Sequence, residues 1–339
     1  MNYESEWVTG DGRPTARMPM KPRLGWVLRA VLVAMLGVGC GCLSALIPAL
    51  RKKPAAPMIA FIPRTTGTNF MEDMRRGADA AAQAAGYQVY WNGPAREGDL
   101  DRQIQIAENA VQHGARALIL GPTNIWGVTT TVNEFSERHL PVVFVQTGPA
   151  QPTGQNLTSV TPNQVEFGKI AAARAAVVMH GSGEVAIVGI SRGTPETLLR
   201  ANAFLRAIAT YPRIRVVAET PGAVQIMEAE QSTREVVSSY PHLKAIFAVS
   251  ANATQGAMLA LEDSDAHRKV ALIGSDRDLF LTVNLREGKL DSLVTSDPYQ
   301  IGYLAAQAAL AGIHGQSLPP PRRVSVELLT RENLTRGSE

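Results

Sequence analysis

The segment with the clearest catalytic pattern is Gly-Ile-Ser-Arg-Gly, residues 189–193. A Gly-x-Ser-x-Gly turn between a strand and a helix can expose a nucleophilic serine, which here would be Ser191. A hydrolase of that kind needs an acid and then a histidine further along the chain. Only His242, His267 and His314 follow, before a strand, in a polar turn and at a helix end respectively. A serine hydrolase that uses Ser191 is therefore a distant alternative function.

The residues after this turn have a structural interpretation. Thr194, Pro195 and Glu196 are typical of a helix start, as the N-cap, the proline of the first turn and a first-turn acid. We therefore predict no catalytic residue and expect that the protein is not an enzyme.

Metal and cofactor chemistry has little support in the residue pattern. The six histidines are scattered, and no pair has the spacing of metal ligands. The two cysteines, Cys40 and Cys42, both lie in an apolar N-terminal stretch, so the rest of the chain offers no thiolate. Neither of the two glycine-rich phosphate-binding motifs follows the first predicted strand. We predict no metal site and no cofactor.

A loop near the start of the apolar body could hold a ligand without reacting with it. The strand predicted at 58–62 is followed by a polar loop and a helix predicted at 69–85. Asn69 and Glu72 have the spacing of a capping box, and the free N–H groups of a helix start point beyond the strand. Phe70 has two interpretations, a core residue or a ring offered to a ligand, and spacing alone favours the core.

A second candidate is Asp276, which directly follows the apolar strand segment 270–274. The carboxyl end of a strand in an open α/β sheet is where ligands bind, so this carboxylate is expected to face a cleft. The alternative is an N-cap for the next helix, and both roles are compatible.

The elements that would position these residues alternate along the chain. Nearly continuous apolar runs such as "RALIL" and "PVVFV" are typical of parallel strands covered by helices on both faces. The pattern predicts an α/β protein with parallel, doubly wound sheets. We predict strands at 58–62, 87–91, 116–120, 141–146, 184–190, 213–218, 243–248, 269–274 and 289–295, with amphipathic helices between them.

The alternation is interrupted between Gln146 and Asn163 by a segment rich in Gly, Pro and Thr, and more weakly at 295–300 and 317–323. We interpret these as three crossings between two Rossmann-like lobes, which leave a ligand cleft between them. The predicted domains are 1–57 as an N-terminal segment, 58–161 with 297–322 as lobe 1, and 162–296 with 323–332 as lobe 2.

The N-terminal segment carries the basic charge of the protein. Residues 1–57 contain eight Lys/Arg and three Asp/Glu, a net charge of +5, which leaves a net of −2 for the rest. This distribution argues against a nucleic-acid surface. Residues 30–50 contain no charged side chain and predict a signal or membrane anchor. We expect an extracytoplasmic protein, with three fates left open: signal cleavage, a retained anchor, or lipidation at Cys40.

The body of the chain, from 58 to about 330, resembles the type I periplasmic binding proteins of sugar ABC transporters, in the ribose-binding branch, whose fold LacI-type effector domains share. The resemblance is carried by the order and spacing of several segments rather than by one motif. These segments are "GADAAAQAAGY", "RQIQIAENAVQHGARALILGP", "LPVVFV", "NQVEFGKIAA", "KAIFAVSANATQGAMLAL", "VALIGSD" and "YQIGYLAAQAAL".

The resemblance implies a set of ligand contacts, several of them altered from the ribose-binding pattern. Most charged contacts of that pattern are replaced here by neutral polar ones, so the resemblance implies the fold and not specificity for ribose. Leu198 stands where those proteins have a sugar-binding Arg, with Arg200 nearby. The implied ligand-binding residues are Thr68, Phe70, Met71, Gln146, Thr147, Arg200, Ser250, Asn252, Asp276 and Ser296.

The resemblance also implies a function. We expect a monomeric solute-binding protein that captures a sugar or a similar small polar ligand by closing two lobes, and that delivers it to an ABC permease. A tethered ligand sensor that acts through a receptor partner is the alternative. A LacI-type repressor is disfavoured because residues 1–57 offer an apolar span instead of a DNA-binding motif.

Overall fold

The computed structural model describes residues 56–149, 156–222, 225–263 and 270–334. The apolar span predicted at 30–50 and Cys40 lie outside these residues. No helix in the described part of the chain has the length and the apolar character needed to cross a membrane.

Strands and helices alternate along most of the described chain. The strands are β1 Met58–Ile62, β2 Gln88–Trp91, β3 Ala115–Leu120, β4 Val142–Val145, β5 Leu157–Pro162, β6 Gly183–Ile190, β7 Ile214–Pro221, β8 Leu243–Ala248, β9 Ala271–Ser275, β10 Ser292–Ser296, β11 Arg322–Val324 and β12 Val326–Thr330. The helices are α1 Asn69–Ala84, α2 Leu100–Gln112, α3 Thr129–Glu137, α4 Gln164–Val178, α5 Pro195–Ile208, α6 Ile226–Ser239, α7 Ala251–Glu262, α8 Leu279–Glu287, α9 Pro298–Ile313 and α10 Arg331–Leu334.

The described strands form two six-stranded sheets. The first has the order β11-β5-β4-β3-β1-β2 and the second the order β12-β10-β9-β8-β6-β7. All pairings are parallel except the antiparallel pair of β10 and β12. The chain passes from the first sheet to the second after β5, returns after β10 and passes again between β11 and β12. The predicted fold class, two α/β lobes with parallel doubly wound sheets, is confirmed.

Helices cover both faces of each sheet, which explains why the strands are apolar throughout. In β1, Ile59 and Phe61 pack with α1 and α9, whereas Ala60 and Ile62 pack with α2 and α3. In β6 the alternate residues likewise divide between α4 and α5 on one face and α6, α7 and α8 on the other. Successive side chains of a strand point to opposite faces, so both sets must be apolar.

Three expectations about local structure are wrong in detail. Thr68, not Asn69, is the N-cap of α1, and its hydroxyl accepts a hydrogen bond from the Met71 N–H, so no capping box begins at Asn69. The segment between Gln146 and Asn163 contains a strand, β5, where the sequence predicted a connection. Strands β11 and β12 lie where the sequence predicted no strand, because strands of three and five residues depend on pairing with distant residues rather than on local pattern.

Helices α1 and α9 approach closely enough that only glycine fits at their crossing. A Cβ atom on Gly302 would lie 1.8 Å from the carbonyl oxygen of Met74, and one on Gly77 would lie 2.0 Å from that of Tyr299. These contacts are with backbone atoms, so a small side-chain rotation cannot relieve them. The crossing joins α1 to α9, and these two helices cover one apolar face of the first sheet.

We expect Gly302→Ala to lower the free energy of unfolding by about 3 kcal/mol, the upper end of the usual cost of overpacking. Urea denaturation of the purified variant measures this loss. Gly148→Ala is the control, because a Cβ there would meet only the Ser159 hydroxyl at 3.8 Å. Equal stability of the two variants would contradict the close crossing.

Candidate functional site

A cavity that is partly open to solvent lies where the carboxyl ends of strands from both sheets meet. Loops after β1, β2 and β4 of the first sheet form one wall, and loops after β6, β8 and β9 of the second form the other. The lining residues are Arg64, Thr65, Thr68, Phe70, Met71, Glu97, Gln146, Pro162, Thr194, Glu196, Thr197, Arg200, Ser250, Ala251, Asn252, Asp276, Arg277 and Asp278.

The loop between β1 and α1 supplies the apolar part of the lining. Because Thr68 caps α1, Phe70 and Met71 fall in its first turn beside the cavity. Both side chains are buried, with 7% and 5% of their surface exposed. Phe70 therefore belongs to the core cluster under α1 and also lines the cavity, so its two interpretations are compatible.

The same loop places a buried cation, Arg64, between the two walls. Its Nη2 donates to Oε1 of Glu196 at 2.7 Å, and its Nη1 donates to Oε1 of Glu97 at 3.2 Å. Thr147 donates its hydroxyl proton to the other oxygen of Glu196. Arg64 and Glu97 follow strands of the first sheet, whereas Glu196 begins α5 beside the second. The Arg64–Glu196 pair therefore connects the two walls of the cavity.

One guanidinium serves two carboxylates, and their pKa values move in opposite directions. Burial raises the pKa of Glu97, and Arg64 offsets only part of this effect. Burial also acts to raise the pKa of Glu196, but Arg64 and the Thr147 hydroxyl outweigh it and hold that pKa below its usual range. Burial acts to lower the pKa of Arg64, yet the two carboxylates together raise it. The effect of burial on the pKa is therefore fully offset by hydrogen-bond and charge partners at Glu196, but not at Glu97.

A second buried ion pair lies on the wall formed by the second sheet. Arg200 of α5 donates to both oxygens of Asp276, at 2.9 and 3.0 Å, and to the carbonyl of Val249 at 2.9 Å. Its Nε donates to Gln164 at 2.7 Å, and its guanidinium lies 3.7 Å from the ring centroid of Phe167. With every side of Arg200 in contact, the Asp276 carboxylate is held in one orientation at the cavity surface.

The backbone at Asp276 and Gln146 has positive φ, 62° and 66°. Such values are uncommon for residues other than glycine and mark positions that the surrounding structure constrains. At Asp276 the N–H donates to the carbonyl of Val294 at 2.8 Å, which fixes the turn at the end of β9. Gln146 directly follows β4 in the other sheet, and its carbonyl accepts from the side-chain amide of Gln164 at 3.2 Å. Gln164 thus connects Gln146 to Arg200.

The structure places most of the predicted site residues around this cavity. Those that line it are Thr68, Phe70, Met71, Gln146, Arg200, Ser250, Asn252 and Asp276. Thr147 and Ser296 do not line it. Thr147 is 6% exposed and lies behind the cavity, hydrogen-bonded to Glu196, while Ser296 is 1% exposed at the end of β10, which is paired on both sides. Their role in ligand binding, which the resemblance implies, stays a prediction.

Three charged or polar residues of the site had no clear signal in the sequence. In the sequence, Arg64 is one residue of a polar loop, and Glu196 has an ordinary explanation as a first-turn acid of α5. Glu97 falls in the connection after β2, where charged residues are common. They are identified as site residues by two contacts in the fold. Arg64 contacts Glu97, 33 positions away, and Glu196, 132 positions away.

Ser191 makes the contacts of a structural turn. Its Oγ accepts from the N–H of Gly193 at 3.2 Å, and its backbone N–H and carbonyl are hydrogen-bonded to the hydroxyl of Thr197. In the described part of the chain all hydrogen-bond partners of Ser191 lie within residues 193–197. This turn positions the start of α5 and does not present Ser191 to a catalytic base.

No group of three or more His, Cys, Asp or Glu side chains that could hold a metal ion occurs within the described residues. The acidic residues of the cavity are instead paired with arginines or with helix N–H groups. Asp278, for example, caps α8 through the Leu281 N–H at 2.7 Å and accepts from Gln255 at 2.9 Å.

Comparisons with known proteins agree with this architecture. A family model described as "Periplasmic binding protein domain" matches residues 59–317. The ribose import binding protein of Bacillus subtilis strain 168 is 24% identical over 268 residues, which are 79% of this chain and 85% of that protein. Such an overlap spans both sheets of the fold described above.

Two solved structures superpose closely. A solute-binding protein of an ABC transporter from Agrobacterium vitis, bound with alpha-D-tagatopyranose, has a TM-score of 0.78 at 22% identity and covers 83% of this chain and 97% of its own. A carbohydrate transporter solute-binding protein from Agrobacterium radiobacter, in complex with D-arabinose, has a TM-score of 0.77 at 26% identity and covers 84% and 98%.

Proposed function

Because this chain belongs to the periplasmic binding protein domain family, we propose that it captures a sugar or a similar small polar molecule in the cavity between its two sheets and delivers it to an ABC-type permease. The family is described as a binding protein domain, and the relatives that match this chain are sugar-binding transport proteins rather than enzymes. The similarity to ribose-, arabinose- and tagatose-binding proteins supports a ligand of this size and chemistry.

The observation that carries the proposal is the pairing of a fixed carboxylate with an aromatic ring in one cavity. Asp276 is oriented by Arg200, so its oxygens can accept from ligand hydroxyls with little loss of side-chain entropy. Phe70 lines the same cavity and offers an apolar face. A sugar ring has hydroxyls at its edge, which match the Asp276 carboxylate, and C–H groups on its faces, which match the Phe70 ring.

We propose that ligand capture involves closure of the two lobes. The lobes predicted above are 58–161 with 297–322 and 162–296 with 323–332, and the chain changes sheets after β5, after β10 and between β11 and β12. Two of these connections are adjacent, since the N–H of Asn163 donates to the carbonyl of Val324 at 3.0 Å. A small number of such connecting residues can absorb the backbone rotation of a closure.

We also propose an extracytoplasmic location and a monomeric state. The family is described as periplasmic, which supports the location. The basic, apolar N-terminal segment supports export, with its cleavage, retention or lipidation at Cys40 as alternatives. Gel filtration and fractionation of the expressed chain test these two points.

We expect Asp276→Ala to weaken binding of the identified sugar by about 1.5–3 kcal/mol, the usual contribution of a hydrogen bond to a charged group. A thermal-shift screen of sugars and polyols first identifies the ligand, because binding to the native state raises the unfolding midpoint. Titration calorimetry then measures the affinities of the native protein and the variant.

The matched control is Asp73→Ala, which removes a carboxylate that pairs only with Arg76 on the exposed surface of α1. Its affinity is expected to equal that of the native protein. Unchanged affinity in Asp276→Ala would place Asp276 outside the binding site.

A further inference from the structure

The cavity contains one carboxylate, Glu97, whose charge the protein itself does not balance. Its Oε1 accepts from Arg64 at 3.2 Å, but the same guanidinium lies closer, at 2.7 Å, to Glu196. Its Oε2 accepts from the neutral side-chain amide of Asn252 at 3.3 Å. Both contacts of Glu97 are long for hydrogen bonds to a carboxylate, which are usually 2.7–2.9 Å.

The other acids of the cavity differ from Glu97 in this respect. Glu196 has Arg64 and Thr147, and Asp276 has two hydrogen bonds from Arg200. Asp278 has a backbone N–H and a glutamine amide. The Glu97 side chain is 18% exposed, so water compensates only part of its charge. A buried, incompletely paired carboxylate is unfavourable for stability and calls for a donor from elsewhere.

The total charge of the residues that line the cavity also favours a positively charged ligand group. Arginines contribute three positive charges to the cavity, from Arg64, Arg200 and Arg277, and carboxylates contribute four negative ones. The first two arginines are committed to ion pairs, and Arg277 is only partly buried and makes no ion pair within the described residues. With all four carboxylates ionised, the residues that line the cavity carry one negative charge in excess.

We infer that the ligand is a sugar-like molecule that carries a positively charged amino group, and that this group binds Glu97. The inference rests on the proposed function and specifies its ligand class. An ammonium group provides up to three donors and one positive charge. It would shorten the weak contacts of Glu97 into a charge-assisted pair and bring the cavity to neutrality.

Glu97 also lies at the boundary between the inner cavity and a wider opening on its solvent side. Glu97 and Asn252 line both spaces, and their hydrogen bond joins a loop of the first sheet to the start of α7. The wider opening is lined by Arg96, Asp99 and other polar residues. An amino group bound to Glu97 would therefore contact residues that connect the two walls, and would favour their approach.

The test uses matched sugar series and the full-length protein. Titration calorimetry compares D-glucose with D-glucosamine and N-acetyl-D-glucosamine, and D-galactose and D-mannose with their corresponding amino and N-acetylamino forms. We expect the amino sugar of at least one series to bind about 10- to 100-fold more tightly than both its neutral counterparts, as for a gained charged hydrogen bond. The N-acetyl form separates charge from size.

The variant Glu97→Gln is expected to bind that amino sugar about as weakly as the neutral sugar. It retains the Arg64–Glu196 pair and can still accept from Asn252. Glu72→Gln is the control, because Glu72 lies half-exposed on α1 and pairs only with Arg75 there; its amine preference is expected to match that of the native protein.

A second readout distinguishes a ligand-binding role from a structural one. Since burial raises the pKa of Glu97, the ionised form destabilises the fold at pH values above that pKa. The unliganded Glu97→Gln protein is therefore expected to unfold at a higher temperature than the native protein at pH 8, and to lose the extra stabilisation by the amino sugar. The charged groups facing Glu97 are Arg64, Glu196 and Asp276, and all are retained.

Three outcomes decide the question. Neutral sugars that bind as tightly as, or more tightly than, their amino forms in every series would overturn the inference and leave the proposed function intact. A lower midpoint of unliganded Glu97→Gln with an unchanged amine preference would also overturn it. Failure of every sugar to bind would contradict both the inference and the proposed function.

Discussion

Replacing Arg200 with alanine is expected to lower the free energy of unfolding by about 3–5 kcal/mol, the usual loss when one partner of a buried ion pair is removed. Arg200 is 4% exposed and makes hydrogen bonds to Asp276, Gln164 and the Val249 carbonyl. Removing its guanidinium leaves all three acceptors without that donor and opens space over the Phe167 ring. Urea denaturation monitored by circular dichroism measures the loss.

The same substitution is also expected to weaken sugar binding, because Arg200 orients Asp276. Without Arg200, Asp276 loses the two hydrogen bonds that orient it, and Gln164 loses its contact with α5. Arg76→Ala is the matched control, because Arg76 is 66% exposed and pairs with Asp73 at 2.6 Å. Exposed pairs contribute about 0–1 kcal/mol, so this control should remain near native stability. A loss below about 1 kcal/mol in Arg200→Ala would contradict the structural role assigned to it.

Replacing Arg64 with methionine is expected to have a comparable energetic cost, about 3–5 kcal/mol, but a different structural result. Glu196, 5% exposed, would be left with the Thr147 hydroxyl as its remaining side-chain partner. Because Arg64 and Glu196 lie on opposite walls of the cavity, the protein can hydrate Glu196 by moving the walls apart. We therefore expect a larger radius of gyration in solution scattering, together with a lower unfolding midpoint.

The double variant Arg64→Met/Glu196→Gln tests this interpretation. Glutamine removes the buried negative charge, so most of the cost of the single substitution should disappear and the radius of gyration should return toward the native value. The two substitutions are expected to be strongly non-additive. Additive effects, or an unchanged radius in the single variant, would contradict a connection between the walls through this pair.

Much of the fold could be predicted from the sequence because parallel strands covered on both faces are almost wholly apolar. The segment Met58–Ile62 is an example, since each of its faces packs against a different pair of helices. Asp276 could be placed at the cavity for a related reason, because it follows such a strand directly. These inferences depend on residues close together in the chain, where periodicity carries the information.

The features of the fold and the site that could not be predicted depend on contacts between residues that are far apart in the chain. Strand β5 has the sequence LTSVTP, with three Ser/Thr and a proline, and is stabilised by pairing with β4 on one side and β11 on the other. Glu196 has a complete local explanation as a first-turn acid, so its pairing with Arg64, 132 residues away, could not be inferred from the sequence around it. Ser296, a ligand-binding residue by resemblance, is 1% exposed at the end of β10, and that burial also depends on distant strands.

The two buried ion pairs are better explained by binding than by stability. Replacing such pairs with apolar residues is often neutral or stabilising, so their presence in a cavity favours a role in recognition. Arg200 orients Asp276, and Arg64 connects the walls while it leaves Glu97 incompletely paired. A sugar-like ligand would find both a fixed acceptor and an available one in the same space.

Titration calorimetry of the full-length protein shows whether the cavity captures a sugar-like ligand. The panel contains D-ribose, D-arabinose, D-allose, D-tagatose and the amino sugars named above, and each ligand is measured with the native protein and with Asp276→Ala. We expect saturable binding of at least one sugar at one site per chain, weakened in the variant. No saturable binding across the panel would contradict the capture of a sugar-like ligand. Equal binding by the native protein and the variant would contradict capture at Asp276.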